Sequence, residues 1–95
     1  MNIIDKNTKN KGETKMTNIE KYNNAFVETL EVTEEDLQGL TYQGVSSWDS
    51  VGHMSLIAAL EDAFDIMMDT DDIIDFSSYK KGMEILSKEA YGVKF

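Results

Sequence analysis

The chain has 95 residues, 41% of them hydrophobic, with no proline, no cysteine and a formal charge of −9. That length builds one small domain around one core. Disulfides and Cys-ligated zinc are excluded, nucleic acid is repelled by the acidity, and no apolar run reaches the length of a membrane span.

Residues 1–15 are rich in Asn, Lys and Thr and are expected to form a disordered tail or leader, with the folded domain over 16–95. Charge divides at the same place. The first fifteen residues hold four lysines against Asp5 and Glu13, whereas residues 16–95 hold five lysines against sixteen acids. Basic protein surfaces are attracted to such a domain, although acidity also serves solubility alone. The polar N-terminus shows no secretory apolar region, and with the missing cysteines it sets the expectation of a cytoplasmic monomer.

Thr17-Asn18-Ile19-Glu20 has capping-box form, and Ile19, Tyr22, Phe26, Val27 and Leu30 follow helical spacing. They predict a first helix over 18–30. Residues 31–48 then form a long loop, with a short helical turn at Thr33-Glu34-Glu35-Asp36, turn points at Gly39 and Gly44, and Leu37, Leu40 and Trp48 among its anchors.

At Trp48-Asp49-Ser50-Val51-Gly52-His53-Met54 the loop ends and a second helix begins, over 50–64. Val51, Met54, Ile57, Leu60 and Phe64 make its apolar stripe; Glu61, Asp62 and Ser55 occupy the other face. Asp69 or Thr70 caps a short third helix over 70–74. Asp69, Asp71 and Asp75 invite a calcium-loop reading, which fails because Ile73, Ile74 and Lys80 stand where ligands and a glycine are needed. Ser77 or Ser78 caps a fourth helix, with Tyr79, Met83, Ile85, Leu86 and Ala90 as its stripe and Gly92 as its stop. The fold class is all-α, a small antiparallel bundle of three main helices and a short one. Its core candidates are Phe26, Leu30, Met54, Ile57, Leu60, Phe64, Ile66, Ile73, Tyr79, Met83 and Leu86.

Ser50 admits three readings. As a plain helix-start residue it needs no function. As a nucleophile it needs a base, and the sole histidine, His53, lies three residues on at a position expected to be on the surface; no Gly-x-Ser-x-Gly elbow surrounds the serine. As a modified serine it is an exposed hydroxyl on an anchored helix.

The chain resembles an acyl carrier protein over about residues 17–90. The resemblance rests on Asp49-Ser50-Val51, on the run from Leu56-Ile57-Ala58-Ala59-Leu60-Glu61-Asp62-Ala63-Phe64 to Asp65-Ile66, on the long first loop and on the acidity. It implies that Ser50 carries 4′-phosphopantetheine, taken from coenzyme A by a phosphopantetheinyl transferase, with acyl groups held as thioesters on the arm. It implies a non-catalytic carrier without metal, met by acyl-loading and acyl-transferring enzymes at Asp49, Val51, Glu61 and Asp62. A sheltered acyl chain is expected to touch Leu60, Ile73 and Met83. Val51 replaces the family's usual leucine, and Gly52 and Ser55 stand where the family is often acidic, which resembles stand-alone carriers of specialised pathways. An aminoacyl or peptidyl carrier, or an unmodified acidic helical adaptor, are the alternatives.

Overall fold

The computed structural model describes residues 16–95, so the tail expected over residues 1–15 lies outside the described residues. The order is α1 (Asn18–Leu30), a 3-10 turn at Glu34–Asp36, α2 (Ser50–Phe64), α3 (Thr70–Asp75) and α4 (Tyr79–Leu86). Among the described residues there is no strand beyond one isolated bridge, Thr41 with Ser78, and the fold is all-α. No helix there is long and apolar enough to cross a membrane.

Side chains set the helix starts. Thr17 Oγ accepts from the Glu20 amide at 3.3 Å and the Glu20 carboxylate accepts from the Thr17 amide at 2.8 Å, closing the expected capping box. Asp49 accepts from the Gly52 amide at 2.9 Å and thereby caps α2. Ser78, not Ser77, caps α4 by accepting from the Lys81 amide at 2.9 Å. α1 and α2 end at Leu30 and Phe64, where the sequence places them. α1 and α2 both stop on an acid in the left-handed region, Glu31 at φ 57° and Asp65 at φ 55°.

α4 ends at Leu86, so Ala90 and Gly92 fall outside it. The Ser87 hydroxyl donates to the Met83 carbonyl at 2.7 Å, a local bond that competes with helix continuation. Gly92, at φ 66°, instead closes a later turn by donating to the Lys88 carbonyl, and Val93 returns to the core with its amide on the Leu86 carbonyl.

Aromatic rings fill the centre. Phe26 lies edge-on to Tyr22, Trp48 and Tyr79 at 5.0, 5.5 and 5.4 Å between centroids, and 6.2 Å from Phe76. Leu30, Leu37, Leu56, Ile57, Leu60 and Leu86 complete this core. The Tyr22 hydroxyl donates to the Tyr79 carbonyl, and burial holds its phenol protonated well above the ordinary tyrosine range, with Tyr79 adding to the effect. Of the core candidates, Phe64, Ile66, Ile73 and Met83 are only half-buried. Met54 is 55% exposed and Val51 74% exposed. Helical rotation explains this. The buried line of α2 runs through Leu56, Ile57 and Leu60; Val51 lies about 140° round the axis from Leu56 and Met54 about 120° from Leu60.

The first loop is anchored rather than loose. Leu37, Leu40 and Trp48 are buried, and the Tyr42 and Tyr79 amides donate to Ser77 and Leu40 carbonyls at 2.8 and 2.9 Å. Gly39 and Gly44 both sit in turns, closed by Leu40 to Leu37 and by Gly44 to Thr41. The Ser47 hydroxyl donates to the Leu30 carbonyl at 2.7 Å, and the Ser47 carbonyl lies against Gly52, where an added Cβ would come within 1.9 Å of its oxygen.

Alanine at position 52 gains about 1 kcal/mol of helix propensity but must push that backbone away, an overpacking cost of about 1–3 kcal/mol or more. Gly52→Ala is therefore expected to lower stability in urea denaturation, despite being a helix-favouring change.

Candidate functional site

Ser50 is the first helical residue of α2 and is exposed. Asp49 occupies the first turn twice: its carboxylate takes the Gly52 amide, and its carbonyl takes the His53 amide at 2.7 Å. The amides of Ser50 and Val51 have no protein acceptor among the described residues. They form the positive end of a fifteen-residue helix, which favours an anion there.

Ser50 opens onto a groove of about 360 Å³ between α2 and α3, walled by Tyr42, His53, Met54, Ile73, Ile74 and Phe76, with Ser77 at its edge. Of the three residues expected to shelter an acyl chain, only Ile73 lines it. Leu60 is fully buried in the core, and Met83 packs half-buried on α4. Val51 at 74% exposure, Met54 and Ile74 at 72% leave a broad apolar rim near the serine.

His53 is partly exposed, as expected, but it is tied into the fold. It is half-buried, stacked on Trp48 at 6.1 Å and edge-on to Tyr42 and Phe76 at 5.5 and 6.0 Å. Trp48 Nε1 donates to His53 Nδ1 at 2.9 Å. An indole N–H can only donate, so Nδ1 must accept and the ring proton sits on Nε2. That nitrogen donates to the Ile73 carbonyl at 2.8 Å. No imidazole lone pair is left for the Ser50 hydroxyl, and the arrangement does not make Ser50 and His53 a nucleophile and base. The pair had a sequence signal. Trp48 and His53 flank the Asp49 cap at the two positions where helices carry a hydrophobic staple.

The acidic pair Glu61 and Asp62 is split. Asp62 is exposed on the outer side of α2, roughly in line with Val51 and bordering a second groove against α1 with Lys21 and Glu28. Glu61 is half-buried, and its carboxylate accepts from the Met68 amide at 2.9 Å. It ties the end of α2 to the loop before α3 and is not a free member of the face.

α3 departs from a simple acidic helix in the same way. Asp69 precedes it without making a side-chain cap. Asp72 turns inward, accepting from Lys88 Nζ at 2.6 Å and from the Tyr91 hydroxyl at 2.5 Å, while Tyr91 Oη accepts from the Asp69 amide at 2.9 Å. Asp69, Asp71, Asp72 and Asp75 are thus not one open cluster, and no group of three acids or histidines among the described residues could hold a metal ion.

The hydrogen bonds from Lys88 and Tyr91 hold the Asp72 carboxyl below its usual range, and its bond to Asp72 raises Lys88. Desolvation, then Asp72 itself, raises the Tyr91 phenol. Asp72 therefore binds its proton more weakly folded than unfolded. Its contribution is complete at neutral pH and is lost as the pH falls through and below about 4. Between pH 6 and pH 3, on the order of the carboxylate range, the wild type is expected to lose more stability than Asp72→Asn in matched thermal melts. Parallel losses would show that the clamp does not contribute.

No family model, no curated protein and no solved structure matches this chain.

Proposed function

We propose that the chain is a carrier whose Ser50 hydroxyl is esterified by the 4′-phosphopantetheine group of coenzyme A, with adenosine 3′,5′-bisphosphate as the leaving group and the hydroxyl proton passing to the transferase. The observation that supports this most is the exposed serine at the two first-turn amides that the Asp49 cap leaves free, opening onto an apolar groove. The residues fit the group. The amides of Ser50 and Val51 would face a phosphate carried by Ser50, since a helix N-terminus favours negative charge by about 0.3–1 kcal/mol. When bound, the arm supplies a thiol for acyl thioesters, which a cysteine-free chain lacks. Met54, Ile73 and Ile74 offer apolar surface to the cargo, and Trp48 and Asp49 fix the serine from behind.

Partner enzymes would then meet the rim made by Val51, Met54 and Ile74, with Asp62 as the free acid of α2. An aminoacyl carrier uses the same surface with a different cargo. An unmodified acidic adaptor uses it without the arm.

Intact mass after incubation with coenzyme A and a broad-specificity phosphopantetheinyl transferase tests the reading. Wild type is expected to gain one phosphopantetheine and Ser50→Ala none, with both folded by circular dichroism. An unmodified wild type would leave the adaptor. For docking, Asp62→Lys is expected to weaken binding to a basic partner and reduce its salt dependence at unchanged stability. Glu61→Lys is expected to lower the thermal midpoint as well, because it frees the Met68 amide.

A further inference from the structure

We propose that His53 is a pH-responsive latch that holds α3 against α2 and sets the closure of the groove beside Ser50. As regulation of a carrier, the proposal rests on the reading of Ser50 given above; as a property of the groove it stands on the geometry alone.

α3 has six residues, too few to persist without tertiary support. Buried Met68 and Phe76 anchor its two flanks, but the helix itself has thin apolar contact: Ile74 is largely exposed, Ile73 is half-buried, and Asp72 is its buried residue. Hydrogen bonds hold the helix between those anchors. On one side Asp72 and the Asp69 amide are bound by Lys88 and Tyr91. On the other, the Ile73 carbonyl is bound by His53 at 2.8 Å, closer than the 3.4 Å bond it accepts from the Phe76 amide. His53 is thus the polar tether between α3 and α2, and its ring is a wall of the groove.

The tether needs the neutral ring. Nδ1 accepts from an indole that is fully buried and can find no other acceptor by reaching water. A second proton on the imidazole sets a donor against that donor and leaves the buried indole N–H unpaired, a costly arrangement. The ring escapes by rotating out of the slot, which also releases the Ile73 carbonyl. Tyr42 faces the ring. The other titratable groups on the elements around it are Asp49 from the first loop, Asp69, Asp71, Asp72 and Asp75 from α3 and its cap, and Glu61 and Asp62 on α2. Asp49 is held by the Gly52 amide, Asp72 by Lys88 and Tyr91, and Glu61 by the Met68 amide. Among the described residues no carboxylate pairs with the imidazole. Phe26 and Phe76 add only rings. Groove closure therefore follows the charge of the imidazole.

The test uses the unmodified full chain, labelled with nitrogen-15, titrated from about pH 8 down to the onset of global unfolding. The Trp48 indole N–H resonance is expected to move with the titration of the His53 ring. Hydrogen exchange at the Ile73 and Ile74 amides, scaled for its intrinsic pH dependence, is expected to rise roughly tenfold or more while α1 stays protected. His53→Gln, whose amide can accept from Trp48 and donate to Ile73, is expected to give a flat response in both readouts. A flat wild-type titration, or the same response in His53→Gln, overturns the latch. If that variant does not fold, the wild-type titration decides alone. Intact mass with coenzyme A separates the two proposals: modification with a flat titration removes the latch and keeps the carrier, whereas a titrating groove without modification keeps the latch and removes the carrier.

Discussion

Trp48 enters the core from the last residue before the α2 cap, and the arrangement around Ser50 depends on that insertion. Its six-membered and five-membered rings are fully buried, with Phe26 edge-on from α1 and Phe76 edge-on from the segment after α3. A large aromatic group contributes several kcal/mol of apolar burial, so the end of a long loop becomes as fixed as a helix. Its one polar atom then needs a partner, and His53 on the next turn provides it. The chain that carries Ser50 thus lies between a buried indole and a capped helix, and a serine on a loop becomes a serine on a frame.

Charge constrains the rest. With sixteen acids against five lysines over residues 16–95, repulsion favours any arrangement that gives a carboxylate a donor. The fold does this with backbone amides where it can: Glu20, Asp49 and Glu61 each accept one. Only Asp72 among the described carboxylates is buried, and it receives both a lysine and a phenol. Exposed ion pairs such as Lys81 with Glu84 add little. The acids left free, Asp62 among them, give the molecule its outward negative field.

Local rules made much of this legible. The capping box at Thr17, the Asp49 start of α2 and the stripe through Tyr22, Phe26 and Leu30 each depend on residues within one or two turns, and the helix limits at 18–30 and 50–64 followed from them. Long-range placement was not legible. Val51 and Met54 match helical spacing as well as Leu56 does, and only the direction of the packed neighbours decides which line is buried. Asp72 reads like its acidic neighbours until Lys88 and Tyr91 are folded back onto it. Ser50 was legible as a candidate because its exposure follows from the cap; the groove beside it was not, since Tyr42, His53 and Ile73 come from three separate segments.

The two long helices both close on an acid. Glu31 and Asp65 each adopt the left-handed backbone region, where glutamate is strained by about 1–2 kcal/mol and the shorter aspartate by less. Each also sets a negative charge at the negative end of its helix dipole. Both positions lie outside the Ser50 groove. Asparagine would remove strain and charge together at 31 and chiefly the charge at 65, and it adds less unfolded-chain freedom than glycine. The molecule therefore keeps two unused routes to greater heat resistance, independent of whatever Ser50 is selected to do, and a sturdier form for engineering can be built from its helix ends alone.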